Sequence, residues 1–397
     1  MSAHVLILTD KYPPDVGGLA VSARRLARGL AQAGYAVTVS ALDASAPPGT
    51  GVMCGDDGVS VLRVGVHRRA DDTLADWFDQ VVALHAAHDL DLIHAMYVAP
   101  PAFVAVAAAR YLGCPSAISA RGNDLDRTVF DPGKFAQILW SLQNADAVTA
   151  VTTDLVRKAR ALVPGREVRW IPNGVDAELF VPGPRDEALA QSLELNGAPT
   201  VAFVGEARRK KGLTVLLPAF ARLCAQGAGG LSGRCDPPPV LLLVGGVRQE
   251  DAPILEVFRR QNPTLGVRVV PNVAHEQLPT YYRLVDLLVL PSLRDGMPNT
   301  LLEGMACEKA VVASDVGGIP DVLRHGIIEG DGEAENGLLI PPGDVDALAG
   351  AMLALLSDPP RRARLGRSAR ETVTSEFTPA REMERTLEVY HDVMRDA

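Results

Sequence analysis

The chain has 397 residues, with 47% hydrophobic and 22% charged side chains and a net charge of −9. Its length suits two or three domains at roughly 150 residues each. The composition excludes a disordered chain, the acidity argues against a general nucleic-acid binder, and no apolar run reaches the ~18 residues of a spanning helix.

Residues 1–175 carry a net charge of −1 and residues 176–397 one of −8, which suits two units of different character. The opening MSAHVLILTDKYPP has no basic stretch before a long apolar run and does not read as a secretory signal. Cys54, Cys114, Cys224, Cys235 and Cys307 are odd in number and lack metal-ligand spacing. They read as reduced thiols of a cytoplasmic protein, and no metal site is expected.

Taken in order, HVLILT (4–9) reads as a buried strand and DKYPPDVGG as a loop. In LAVSARRLARGLAQAGY, Leu19, Ala23, Leu26, Ala27 and Leu30 keep helical spacing, and Gly34 supplies a stop. AVTVSAL, LDLIHAMY, PSAISARG and ADAVTAVT are further strands, with helical stretches between them. The rhythm restarts near residue 200 with TVAFVGEA, VLLLVGG, VRVVPNV, LLVLPS and AVVASD. Such alternation predicts two doubly wound α/β domains with parallel sheets covered on both faces. IPNGVDAELFVPGPRDE is the linker between them, giving domains at 1–175 and 176–377. The loop-rich stretch 227–239 is a surface insertion, and Pro379 breaks the C-terminal segment into two helices.

Ligands of such folds sit at the carboxyl ends of the strands, here in a cleft between the domains. The most informative stretch is LLVLPSLRDGMPNTLLEGMACEKAVVASDVGGIP (287–320). A strand ends at Leu290, Asp295 and Gly296 lie in a loop, and Pro298 sits at the first position of a helix beginning near Asn299. The free amides and dipole of that helix favour a phosphate. Glu303, one turn on, suits a ribose diol, and Asp295 suits sugar hydroxyls. The plainer alternative makes Asp295 a turn residue and Glu303 a solvated one.

Asp295 and Glu303, with seven residues between them and followed by GMACEKAVVASDVGGIPDVL, resemble the E-x7-E region of retaining GT-B glycosyltransferases of family 4. YPPDVGGLAVSARRLARGL, IPNGVDAELF, FVGEARRKKGLTVLLPAF and NGLLIPPGDVDALA resemble, in order, the family's glycine loop, interdomain segment, donor-phosphate segment and closing strand and helix.

The resemblance implies transfer of a hexose from a UDP or GDP sugar to a hydroxyl of a glycan, glycolipid or small molecule, with retention and without a metal or other cofactor. It implies that Gly17 and Gly18 bring amides near donor or acceptor, where the pair by itself reads equally as a simple turn. Arg208 and Lys211 would neutralise the diphosphate, with Arg209 a substitute for Arg208. Gly296, Met297, Pro298, Asn299 and Thr300 would line phosphate and sugar, Glu303 would hold the ribose, and Asp295 the transferred sugar. The loop at Asn272 and Val273 would meet the base. It further implies that the linker at 172–182 closes the domains on each other and that the last helix (378–397) packs back on the first domain. Arg24, Arg25 and Arg28 read either as a solvated helix face or as a contact for anionic lipid, as in members acting on lipid-linked acceptors. That second reading would make the protein peripheral at the inner face of the membrane.

Three positions depart from the family pattern. Asp295 stands where the pattern has Glu, although the shorter arm still reaches a hydroxyl. Glu206 stands where many members carry Arg, so Arg208 would compensate. SARGNDLD (119–126) replaces a His-Gly pair, which puts Arg121 where a proposed catalytic His would be. Arginine cannot serve as a base, but it can clamp a phosphate or sugar oxygen bidentately. His94 is the nearest alternative histidine, or else a satisfied one at a strand end. Asn123 and Asp124 either bind acceptor hydroxyls or cap the next helix. A nucleotide-sugar 2-epimerase and a degenerate sugar-binding relative are the competing readings. Hydride transfer is weaker, because the first loop reads DVGGLAVS and not G-x-G-x-x-G.

Overall fold

Apolar strands of four to six residues recur through the chain and are buried along nearly their whole length, the pattern of strands covered on both faces. The computed structural model describes residues 2–230, 237–323 and 335–395. It divides into two units, residues 1–173 with 379–397 and residues 174–378. Cys235 and the centre of the 227–239 stretch lie outside the described residues; Cys54, Cys114 and Cys307 are unbonded thiols.

The first unit runs β1 (His4–Thr9), α1 (Gly18–Gln32), β2 (Ala36–Asp43), β3 (Gly51–Asp56), β4 (Val59–Gly65), α2 (Ala70–His88), β5 (Leu92–Met96) and α3 (Pro101–Leu112). It continues with β6 (Ser116–Ala120), α4 (Asn123–Asp126), α5 (Pro132–Asn144), β7 (Ala147–Ala150), α6 (Thr153–Leu162) and β8 (Arg169–Trp170). Its strand order is β3-β4-β2-β1-β5-β6-β7-β8. Every pair is parallel except β3–β4. That hairpin is a departure from the all-parallel expectation. Asp57 (φ +45) and Gly58 (φ +83) make its two-residue turn, and an Asp-Gly pair adopts that left-handed geometry readily.

The apolar face of α1, with Ala23, Leu26, Ala27 and Leu30 buried, packs in one core with Val5 and Ile7 of β1. Each such leucine contributes roughly 1.5–3 kcal/mol.

The second unit runs α7 (Glu187–Ser192), β9 (Thr200–Val204), α8 (Leu213–Gly230), β10 (Val240–Val244), α9 (Ala252–Gln261), β11 (Gly266–Val270) and α10 (Leu278–Arg283). Then come β12 (Leu287–Leu290), α11 (Asn299–Ala306), β13 (Ala310–Ser314), β14 (Leu338–Ile340), α12 (Val345–Ser357) and α13 (Pro359–Glu376). Its sheet is parallel, in the order β11-β10-β9-β12-β13-β14. Phe203, Leu216, Phe220, Leu243, Val289, Val312 and Met352 are among its core.

The last helix, α14 (Pro379–Arg395), belongs to the first unit. Tyr390 is fully buried in the core that α1 and β1 share. Arg25 of α1 makes a two-pronged ion pair with Glu382, at 2.6 and 3.1 Å.

Candidate functional site

In the second unit the sheet grows outward in opposite directions from β9 and β12. At such a point the loops leaving the strand ends part and open a crevice for ligand. The loops after β9 and β12 carry the charged residues singled out above.

After β9 the chain makes a 3₁₀ turn at Arg209–Lys211 and ends it at Gly212, with φ +81. A Cβ on Gly212 would lie 1.8 Å from the Pro291 carbonyl, so only glycine lets this turn seat against the loop after β12. Leu293 N–H donates to the Lys210 carbonyl at 3.0 Å and ties the loops together. Lys211 Nζ lies 2.5 Å from Asp295 Oδ2, which also accepts from Ser292 Oγ at 3.0 Å. The Gly296 N–H donates to Asp295 Oδ1 at 3.1 Å. Behind this loop Gly317, with φ +58, approaches so closely that a Cβ would lie 1.8 Å from the Asp295 carbonyl oxygen. Gly318 N–H donates to the Gly296 carbonyl at 3.0 Å. Burial pushes the Asp295 carboxyl up, but the Lys211 charge and hydrogen bond, with Lys210 and Ser292, outweigh it and hold the pKa below the ordinary value. Asp295 is therefore a braced, ionised carboxylate.

Arg208 Nη1 is 3.3 Å from Glu206 Oε2, and its Nε is buried without a hydrogen-bond partner among the described residues. Arg209 is engaged elsewhere: its backbone N–H and Nε reach the two oxygens of Asp251 at 3.0 and 3.1 Å. It does not stand in for Arg208, a correction to the sequence expectation that follows from the tight turn.

α11 begins at Asn299, so Pro298 precedes the helix by one residue instead of opening it. Pro298, the residue before the helix, supplies no side-chain cap. Met297 and Pro298 are buried, while Gly296, Asn299 and Thr300 are half-buried. The plainer reading of Glu303 as a solvated residue fails, since it is 4% exposed. Its Oε2 accepts from the Tyr282 hydroxyl at 2.9 Å, and His275 Nδ1 lies 3.8 Å from Oε1. Phe180 packs edge-on against His275 and Tyr282, with ring centroids 5.2 and 5.9 Å away. Burial and then the Glu303 charge push the Tyr282 hydroxyl well above its usual range, so it remains a donor. Phe180, His275, Tyr282 and Ser292 were not singled out from sequence. The adjacent tyrosines of LPTYYR, ahead of a buried strand, were the only visible signal. Asn272, exposed, and Val273, half-buried, sit on the loop after β11, two strands from β9.

The first unit diverges between β1 and β5. Gly17 and Gly18 lead from the β1 loop into α1. Asp124 proves structural. Its Oδ2 accepts from Arg121 N–H (2.9 Å) and Val98 N–H (3.2 Å), and its Oδ1 from Gly122 N–H (2.7 Å) and Leu125 N–H (3.1 Å). These four bonds tie the β5 and β6 loops together and leave nothing for an acceptor sugar. Asn123 stays exposed at the head of α4. His94 is likewise committed, with Nδ1 2.5 Å from the Tyr390 hydroxyl and Nε2 2.8 Å from Ser119 Oγ. Burial, and then the Arg121 charge, pull its pKa down to about 3. It is a satisfied core histidine and not an acceptor ligand.

Arg121 donates to Asn173 Oδ1 at 2.8 Å. Burial pulls its guanidinium down to about 10, and Glu382 acts against the shift. The cavity it shares with His94, Glu382 and Tyr390 is about 20 Å³, far below the roughly 300 Å³ at which small-molecule sites begin.

The basic stripe on α1 is neutralised. Arg24 pairs with Asp56, Arg28 with Asp56 and Asp57, and Arg25 with Glu382. The open cationic face that the lipid-contact expectation needs is therefore missing from α1. Among the described residues no helix is long and apolar enough to cross a membrane.

Two family models match the chain in tandem: Glycosyltransferase Family 4 over residues 16–179 and Glycosyl transferases group 1 over residues 184–372. D-inositol 3-phosphate glycosyltransferase 1 of Catenulispora acidiphila is 30% identical over 402 residues, covering 96% of this chain and 92% of that protein. Among solved structures, sucrose-phosphate synthase from Thermosynechococcus elongatus superposes with a TM-score of 0.82 at 24% identity, over 100% of both chains. Anabaena HepE in complex with UDP-glucose does so with a TM-score of 0.77 at 20% identity, over 98% of this chain and 99% of that one. Two parallel-sheet α/β units, loops braced at the strand ends and matches along nearly the whole length agree: the chain belongs to the group 1, family 4 glycosyltransferases and has the GT-B fold.

Proposed function

We propose that the protein is a retaining, metal-independent hexosyltransferase that moves a sugar from a UDP or GDP sugar to a hydroxyl of a glycan, glycolipid or small-molecule acceptor. The observation that carries this reading is the cluster at the divergence of β9 and β12. There Lys211 is paired to Asp295, Arg208 has an unsatisfied buried Nε among the described residues, and both cations stand on the loop after β9, which is tied to the loop leading into α11. That combination suits a diphosphate, with cations and helix amides on one side and a carboxylate for sugar hydroxyls beside them. Glu303, oriented by Tyr282, would take the ribose diol. The solved complex of HepE with UDP-glucose supports a uridine donor.

In the proposed step the bond from the anomeric carbon to the phosphate oxygen breaks. The acceptor oxygen bonds to that carbon on the same face, and its proton passes to the departing phosphate. Arg208, Lys211 and the α11 amides stabilise the charge that develops on the diphosphate. Asp295 orients the sugar.

Calorimetric titration with UDP, GDP and ADP in the presence of a chelator tests the donor site, with Glu303→Ala beside the parent. One nucleotide should bind the parent and bind the variant at least about 10-fold more weakly, a loss of ~1.4 kcal/mol. No binding of any of the three, or binding only with a divalent cation, overturns the metal-independent reading. The anomeric coupling constant of the product, read by proton NMR, tests retention.

A further inference from the structure

The divergence point of the first unit contains a carboxylate that the reading above does not use. Asp10 follows the last residue of β1. Thr9 pairs with Met96 of β5, so Asp10 and Tyr97 are neighbours at the two strand ends between which the sheet diverges. Asp10 Oδ1 is buried and has no hydrogen-bond partner among the described residues. A buried carboxylate oxygen left unsatisfied is costly. Such an atom at a strand-end crevice needs an explanation, and a ligand donor supplies one. Tyr97, although not glycine, holds φ +125 and donates its N–H to the Ser119 carbonyl at 3.1 Å. A strained backbone of this kind clusters at ligand sites.

The surroundings define the ligand. Burial pushes the Asp10 carboxyl up to about 7, with Lys134 pulling it down, Asp124 pushing it up and Lys11 pulling it down. Tyr97 faces the same group, and burial followed by the charges of Asp124 and Asp10 raises its hydroxyl. Asp124 cannot satisfy Asp10, because both its oxygens are filled by backbone amides. A site whose unsatisfied atom is a carboxylate oxygen repels a phosphate placed against it and accepts from a neutral hydroxyl.

We propose that Asp10 is an acceptor-binding residue of the first unit, accepting a hydrogen bond from a hydroxyl of an acceptor that presents an uncharged polyol face, such as a free sugar or cyclitol ring. This rests on the transferase reading, and it adds both the residue and the charge class of the group beside it. The role is binding and orientation, so the proton of the attacking hydroxyl still leaves with the phosphate.

The test keeps the two readings separate. Nucleotide binding is first measured for the parent and for Asp10→Asn, an isosteric change that removes the negative charge. Both should bind equally, and failure of the parent to bind any nucleotide would count against the transferase reading. Release of nucleoside diphosphate is then followed with glucose, mannose and myo-inositol as neutral acceptors and with glucose 6-phosphate and myo-inositol 1-phosphate as anionic ones. The parent should favour at least one neutral acceptor over its phosphate. Asp10→Asn should lose at least about 10-fold in kcat/KM for that acceptor while its melting temperature falls no more than a few degrees below the parent's. The third readout is independent of turnover. The carboxyl carbon signal of Asp10 at pH 7 should shift when 50 mM of the neutral acceptor is added and should not shift with its phosphate. Equal transfer by parent and variant, a preference for the phosphorylated acceptors, or an unmoved Asp10 signal would overturn the proposal.

Discussion

The two divergence points differ in how their carboxylates are satisfied. In the second unit Lys211 has Asp295, Asp295 also has Ser292 and Gly296, and glycines at 212 and 317 press both loops into place. In the first unit Asp10 has a bare buried oxygen, and Arg121 has a neutral amide partner in Asn173. A site assembled before its ligand arrives suits a strongly charged group that must be held without reorganisation. A carboxylate left under-satisfied by burial suits a neutral ligand that brings its own donors.

Four tests bear on this contrast. Lys211→Ala should have the largest effect, lowering transfer roughly 10²- to 10³-fold and stability by about 3–5 kcal/mol, because Asp295 is left buried and unpaired. Removing both partners in Lys211→Ala/Asp295→Ala should recover stability in urea unfolding but not turnover. Recovered turnover would make the pair merely structural. Gly317→Ala comes next. Its Cβ meets the Asp295 carbonyl in a left-handed conformation, and overpacking of this kind costs about 1–3 kcal/mol. A denaturation midpoint equal to the parent's would show that the brace is unimportant.

Protonation gives the third test, and its sign differs between two groups. The Asp10 pKa is raised to about 7 from an ordinary 3.8. Its contribution to stability is present below pH 3.8 and is lost as pH rises to 7. The His94 pKa is lowered to about 3 from 6.5. Its contribution is present above pH 6.5 and is lost as pH falls towards 3. The two slopes oppose between pH 3.8 and 6.5. Melting temperatures across that window should fall more steeply on acidification in Asp10→Asn and less steeply in His94→Gln; parallel curves would sink both assignments. Glu206→Gln should do least. The half-exposed pair it breaks is worth about 0.2–1 kcal/mol, so freeing Arg208 should tighten nucleoside diphosphate binding by no more than about 5-fold, read by calorimetry. Weaker binding in the variant would give Glu206 a role in holding the ligand.

Much of the fold was legible because buried parallel strands are short apolar runs that announce themselves, as HVLILT and VLLLV do. The β3–β4 hairpin escaped, since β3 is exposed along nearly its whole length and carries no apolar periodicity. In the site, Asp295, Lys211 and Glu303 were visible through spacing. Tyr282 was not, because its role depends on α10 bringing a hydroxyl to a carboxylate 21 residues later. Burial was the harder quantity to read. It made His94 and Asp124 internal fixtures, although as residue types both looked fit to bind a ligand.

The placement of α14 has a consequence for how the protein is made. Tyr390 and Glu382 complete the first unit, yet they emerge from the ribosome after the whole of residues 174–378. At ordinary elongation rates of ~5–20 residues per second, that interval lasts on the order of 10–40 s. Throughout it the first unit waits with Arg25 unpaired and the α1 side of its core uncovered, while the second unit has all its chain to hand. The domain begun first is thus the one finished last, and a chaperone that shields nascent chains would find its client surface on α1.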